Sequence, residues 1–314
     1  MHIVLPGALP GPEAARALLP HLEKTAPTFV GWLSGGRARM QAVEPEVSGC
    51  TAYEQWQLEQ ARFSPEPQQN LNAGLGPLLT ENRDIEPKQP VWLAELIHMA
   101  PTQSSTALLT ALDLNITQEQ SVALFESAQT LFDETGFHLH HDSHTRWRID
   151  PPPGFAFHST SPSVVATASV NDWWPQDEAV RPWRRLFNEI QMLWFDHPVN
   201  LARQAQGERP VNGLWLFGGG RMEQLATAPS PVETRHYRAL LAPFMAQDWG
   251  GWLAALAELE AEVFVPLARQ GTQPELVLTG RNEIVTLEPR AMARLAKWLR
   301  GGRNTWSKWW LYRN

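Results

Sequence analysis

Three consecutive glycines, Gly218, Gly219 and Gly220, follow the apolar run Gly213-Leu-Trp-Leu-Phe217, and Arg221 comes directly after them. Glycines at a strand exit let backbone N–H groups approach an anion, and an adjacent guanidinium adds charge. The spacing is not that of a P-loop, because no Gly-Lys-Ser/Thr follows. It is not G-x-G-x-x-G either, because Glu223 stands at the third glycine position. The competing reading is a tight strand exit crowded against a neighbouring backbone. Near this run in sequence lie Asn188, Glu189, Gln191, His197, Asn200, Arg203 and Asn212. A cleft formed by Asn188, Gln191, His197, Asn200, Arg203 and Asn212 with the three glycines suits a small phosphorylated or carboxylated ligand, with Arg203 as the anion contact. Against this, Asn200 and Asn212 flank breaks, where such side chains satisfy free backbone groups.

Three further groups of residues invite chemistry. His138 and His140 fall on one side of a strand, with His141 and His144 close by. Two imidazoles at i and i+2 can share a metal, but only Asp142 supports them, and a solvated hairpin needs no metal; the reading assigns neither metal nor cofactor. Cys50, the single cysteine, becomes a nucleophile only where something depresses its pKa, and no neighbouring cation in sequence does so; it reads as a buried thiol. The tail after Glu288 carries Arg290, Arg294, Lys297, Arg300, Arg303, Lys308 and Arg313, interleaved with Trp306, Trp309, Trp310 and Tyr312. It reads as a patch for RNA, a membrane surface or an acidic partner, or as a last helix with its tail docked on the body.

The elements that must position these residues follow from patterning. The chain has 314 residues, 43% hydrophobic and 19% charged, which excludes a disordered or fibrous protein and predicts about two domains. A net charge of −7 argues against nucleic-acid binding. No apolar run reaches the ~18 residues that span a bilayer. The first residues lack a basic region, so a cytoplasmic protein is expected. A strand at 2–6 followed by a helix at 12–22 favours an α/β architecture. Helical segments are expected near 53–63 and from 75. A helix over 117–136 opens on a Thr117/Gln120 capping box and is followed by a hairpin, 137–141 with 145–149. Helices are expected over 182–197 and 198–207, a central parallel strand at 213–217, a helix from 252 to 271, a hairpin of 275–279 with 283–287, and a last helix over 289–299. Prolines cluster at 44–67, 87–101 and 150–162 and mark linkers and rigid loops.

Residues 188–203, containing His197-Pro-Val-Asn200-Leu-Ala-Arg203, and 210–220, Pro-Val-Asn-Gly-Leu-Trp-Leu-Phe-Gly-Gly-Gly, resemble the cofactor-independent phosphoglycerate mutases of archaeal type, in the alkaline-phosphatase superfamily. That family carries a His-Pro-x-Asn-x-x-Arg run and then Ala-Asn before a strand ending Trp-Gly-x-Gly. Gly74-Leu-Gly-Pro77-Leu-Leu is similar to its Gly-Arg-Gly-Pro-Leu stretch. The resemblance implies an α/β fold: an alkaline-phosphatase-like core sheet with helices on both faces, from residues 1–88 and 180–314, plus a small inserted α+β domain at 89–179.

The resemblance also implies a two-metal enzyme with a Ser or Thr nucleophile, and here the sequence departs from it. The first metal ligand of the family is an Asp just after the first strand. This chain has Leu5-Pro6-Gly7-Ala8 there, and its first Asp is Asp84. Beyond residue 220 it has one Asp, Asp248, and one His, His236, where a metal pair that handles a phosphoryl group needs about five to seven ligands. The expectation is therefore a mutase-like protein that has lost its catalysis and serves in small-anion binding or in regulation and interaction. An active metal-dependent phosphomutase or phosphatase with an atypical site is the alternative.

Overall fold

The computed structural model describes residues 1–82, 84–102, 105–133, 135–226, 232–289 and 306–311. Contacts divide the chain into two units, Met1–Glu44 with Pro229–Asn314, and Pro45–Ala228. In chain order the strands are β1 (His2–Pro6), β2 (Gly36–Ala42), β3 (Pro90–Pro101), β4 (Thr106–Leu109), β5 (His138–His141), β6 (Arg146–Asp150), β7 (Gly213–Arg221), β8 (Thr234–His236), β9 (Glu275–Thr279) and β10 (Glu283–Pro289).

The discontinuous unit has a five-stranded sheet of order β2-β10-β9-β1-β8. β1 runs parallel to both β8 and β9, while β10 is antiparallel to β9 and β2. Ile3, Leu5, Leu276, Leu278, Val285 and Leu287 share one core with the helices Pro12–Thr25, Pro27–Gly35 and Trp249–Leu259. Strict alternation along these strands sends those side chains to one face. The helix that begins at Trp249 passes through a π-helical turn, Glu260–Phe264, before Val265–Arg269. This stretch carries Glu260, which is buried and accepts hydrogen bonds from Thr28 N (2.7 Å) and Phe29 N (3.2 Å). A carboxylate thereby satisfies free donors at the amino end of the helix Pro27–Gly35.

The tail helix Trp306–Leu311 puts Trp306 and Trp310 into this same core, fully buried, with Trp309 packed on its margin. Trp306 and Trp310 of the basic tail are core material here. The expected helix over 289–299, the arginines from Arg290 to Arg303, Lys297, the Lys308 side chain, Tyr312 and Arg313 lie outside the described residues.

In the continuous unit β3 is the centre: β7 and β6 flank it, β5 continues beyond β6, and β4 pairs with its far end, all antiparallel. The expected central parallel strand at 213–217 is thus an antiparallel strand paired with β3. Its unbroken apolar run has another cause, burial on both faces. Leu214 and Leu216 face the core that holds the helices Gln118–Phe132 and Arg181–Trp194, and Trp215 and Phe217 face a second core with Leu58, Leu75 and Val165. The pairing of β3 with β7 also ties residues 90–101 to 213–221. The contact division falls at 44/45 and 228/229, and the breaks expected from the resemblance are at 88/89 and 179/180. Among the described residues no helix is long and apolar enough to cross a membrane.

Candidate functional site

At the glycine turn, Gly218 and Gly219 have φ of 93° and 100°, a left-handed backbone that favours glycine. Beside it, β3 and β7 slip register between Val91 and Trp92. The turn presses on the neighbouring backbone: a Cβ at Gly218 would lie 2.9 Å from the Gly76 Cα and from the Val91 oxygen, and one at Gly219 would enter the Trp92 indole. The Gly218 N–H points inward and donates to Ser159 Oγ (3.0 Å) and Asn72 Oδ1 (3.1 Å). Ser159 Oγ donates to the same Asn72 oxygen at 2.6 Å, and Asn72 Nδ2 donates to Gly49 O at 2.9 Å. Arg221 is paired with Glu66 and with Glu223, and the Glu66 hydrogen bond raises its pKa further. The crowded strand exit is what the geometry describes, with the lead donor committed to side chains and the cation balanced by two carboxylates.

The polar set divides in the same way. Arg203 is 1% exposed. Its Nε donates to Arg209 O (2.8 Å), Nη2 to Leu114 O (2.6 Å) and Nη1 to Gln120 Oε1 (2.7 Å), with Glu208 at 3.3 Å. Burial lowers its pKa and Glu208 opposes that shift. Asn200, also buried, donates to Trp194 O and Val211 O at 2.7 Å and accepts from Val211 N at 2.8 Å. Asn212 lends its amide to Met99, accepting from N at 2.7 Å and donating to O at 2.8 Å, which continues the β3–β7 ladder past its last pair. His197 accepts from Val199 N at 3.2 Å and caps the helix Pro198–Ala205; burial lowers its pKa against the charge of Asp196. Asn188 is exposed and Gln191 half-buried on the helix Arg181–Trp194. Arg203, Asn200 and Asn212 thus bond backbone groups, Arg203 the Gln120 side chain as well.

The histidines are spread over the hairpin. His140 sits 2.8 Å from Asp150, His141 meets the edge of Phe125, and His138 and His144 are exposed. Asp142 is occupied by Thr80 Oγ1 (2.6 Å) and Glu81 N (3.0 Å). Among the described residues no three His, Cys, Asp or Glu side chains are grouped as metal ligands would be. Cys50 is fully buried; burial first, then Glu54, raises its thiol pKa, the opposite of nucleophile activation.

Sequence reasoning missed two carboxyls on this unit, Glu54 buried and Glu95 half-buried on β3. Glu54 accepts from Ser161 Oγ (2.5 Å), Thr51 N (2.8 Å) and Thr51 Oγ1 (2.9 Å), and burial raises its pKa. Glu95 accepts from Ala111 N at 3.1 Å; burial pushes its carboxyl up to about 7, against the pull of that N–H and of Arg146. Both left signals. Thr51-x-x-Glu54 is a capping box, and Glu95 is the single acid inside the apolar run Val91-Trp-Leu-Ala-Glu-Leu-Ile97.

In the discontinuous unit the end of β1 is closed. Gly7 has φ of 76°, and its carbonyl accepts the Trp252 indole N–H at 2.9 Å. A Cβ at Gly7 would lie 2.9 Å from Leu240 O and the Phe244 side chain. The mutase resemblance would place a metal-ligand carboxylate just after β1; the chain has a proline and a glycine there, beneath a tryptophan ring, and neither residue can supply that ligand. A cleft of about 490 Å³ lies in this unit, lined by Glu233, Arg235, Tyr237, Glu262, Gln270 and Thr272 among others. Arg235 is paired there with Glu233 at 2.8 Å.

No family model matches the sequence, and no curated protein matches it significantly. Among solved structures the chain is similar to a cofactor-independent phosphoglycerate mutase from Thermoplasma acidophilum DSM 1728, at 12% identity over 92% of this chain and 90% of that one, with a TM-score of 0.33. It is also similar to the PH0037 protein from Pyrococcus horikoshii, at 11% identity over 92% and 86% of the two chains, with a TM-score of 0.45.

Proposed function

We propose that this chain works by binding rather than by turnover, as a regulatory or interaction protein on a mutase-like α/β framework. The observation that carries the reading is the closed end of β1, where the Trp252 indole is bonded to the Gly7 carbonyl. A two-metal phosphoryl site needs ionised oxygen and imidazole ligands with open coordination positions. An indole N–H donates and cannot ligate, and the surrounding Leu240, Phe244 and Trp252 exclude water from that end. The commitment of Arg203 to three protein acceptors supports the same reading, because a guanidinium with its fork occupied has little left for an anion.

The test is turnover. Full-length protein, assayed with phosphoglycerates and with an aryl phosphate in added manganese, is expected to give the rate of the protein-free control. A rate that scales with protein concentration and disappears with chelator would overturn the proposal and restore the active phosphomutase or phosphatase. Metal content by mass spectrometry on the same preparation separates the two readings a second time: two equivalents per chain would contradict the closed site.

A further inference from the structure

The helix Arg181–Trp194 buries Trp183, Leu186, Phe187, Ile190 and Trp194 and turns a different stripe outward. At about 100° per residue, Arg181, Arg185 and Met192 lie within about 20° of one line, with Asn188 and Glu189 within about 60° of it, and Phe195 and Asp196 follow in the turn after the helix. All seven are exposed. Met192 is 69% exposed and Phe195 81%, and Leu201 on the next helix is 52% exposed. Scattered single apolar residues need no explanation, but three large ones within ten residues, rimmed by charge, do.

The order of charges along the stripe is specific. Both arginines stand at the amino end and both acids, Glu189 and Asp196, toward the carboxyl end, with Met192 and Phe195 between or beside them. None of the four makes a salt bridge to a described residue. Laid parallel on a copy of itself, such a stripe would set like charges side by side. Laid antiparallel, it sets Arg185 against Asp196 of the partner subunit, twice by symmetry, with Met192 opposite Glu189 of the partner subunit between the two pairs and Phe195 beside each pair. Self-complementarity of this kind is what a two-fold interface requires.

We propose that the outward face of the helix Arg181–Trp194 and the turn after it is a homodimer interface, and that its occupant is the same face of a second copy of this chain. The inference stands apart from the question of turnover. One helix face covers less than the ~800 Å² per partner of a standard interface, so association is expected at micromolar concentrations rather than below. Ion pairs at the rim set register and partner choice more than affinity.

The experiment is sedimentation velocity on the full chain from about 1 to 100 μM at low salt, a range that brackets a micromolar constant. The dimer fraction should rise with concentration and fall with added salt. Met192→Glu should weaken the dimer at least tenfold. Arg185→Glu and Asp196→Arg should each be monomeric, while an equimolar mixture of those two variants should dimerise again, because each of the two symmetric positions then holds opposite charges. All three positions are exposed, so circular dichroism should be unchanged. A wild-type monomer throughout the range, a dimer indifferent to the charge variants, or a variant mixture that stays monomeric would each overturn the proposal.

Discussion

The two units are held together by different physics. The discontinuous unit is an apolar packing problem: Phe29, Leu256, Phe264, Trp252, Trp306 and Trp310 fill its core, and its only buried polar residues among those described are Glu260 and Thr279. The continuous unit buries Glu54, Asn72, Ser159, Ser161, Asn200 and Arg203 as well as its apolar side chains, and ties distant segments with them. Burying a polar group is tolerable only when its partners are complete, and leaving one unpaired costs more than the bond itself contributes. The contrast teaches that polar residues in suggestive patterns can be joints of the fold. In the continuous unit Arg203 and Asn200, two of the residues that suggest a ligand site by type, are such joints.

The largest effect should come from breaking the deepest joint. Arg203→Met leaves Leu114 O, Arg209 O and Gln120 without their donor, and should cost about 4 kcal/mol in chemical denaturation. A loss under about 1 kcal/mol would mean that the fork does not hold the fold and would reopen it as an anion contact.

Next comes pH. The Glu95 carboxyl sits near 7 in the folded chain and near its ordinary value of 4.5 when unfolded. A raised carboxyl contributes stability that is full below about 4.5 and is lost as pH rises through about 7, up to about 3 kcal/mol in all. Denaturation at pH 5 and pH 8 should show that slope, and Glu95→Gln should flatten it.

A smaller and more graded response is expected from the apolar unit. Leu256→Ala should cost about 3 kcal/mol through the cavity it leaves, and Leu256→Met under about 1.5 kcal/mol. By contrast Asn200→Asp, nearly isosteric, should cost about 2 kcal/mol, since an acid cannot donate to Trp194 O and Val211 O. If the near-isosteric swaps cost the same in both units, the contrast fails. The smallest effect should be at Arg221, whose partners Glu66 and Glu223 are solvated; Arg221→Ala should change stability by about 0.5 kcal/mol or less.

Much of the architecture was legible in the sequence where local chemistry decides it. The Thr117/Gln120 capping box, the hairpins β5–β6 and β9–β10 and the stripe on the helix Arg181–Trp194 are all present. β3 was not legible, because a strand buried on both faces shows no alternation and its ends lie among prolines that read as loop. The direction of β7 was hidden for the same reason. Asn72 and Ser159 left no signal, since what they do depends on Gly218, far along the chain. Arg203 and Asn200 were found by residue type, but type alone does not say whether a polar group faces a ligand or a carbonyl.

The most direct test of this central point is a phosphate and phosphoglycerate titration of isotope-labelled protein, following the amide resonances of Gly218, Gly219 and Gly220 together with the Arg203 guanidinium. Resonances that stay in place at millimolar ligand are the predicted result, because the Gly218 N–H is committed to Asn72 and Ser159 and the guanidinium to Leu114, Gln120 and Arg209. A saturable shift shared by the glycine amides and Arg203 would contradict it, and would mean that these joints open to hold an anion.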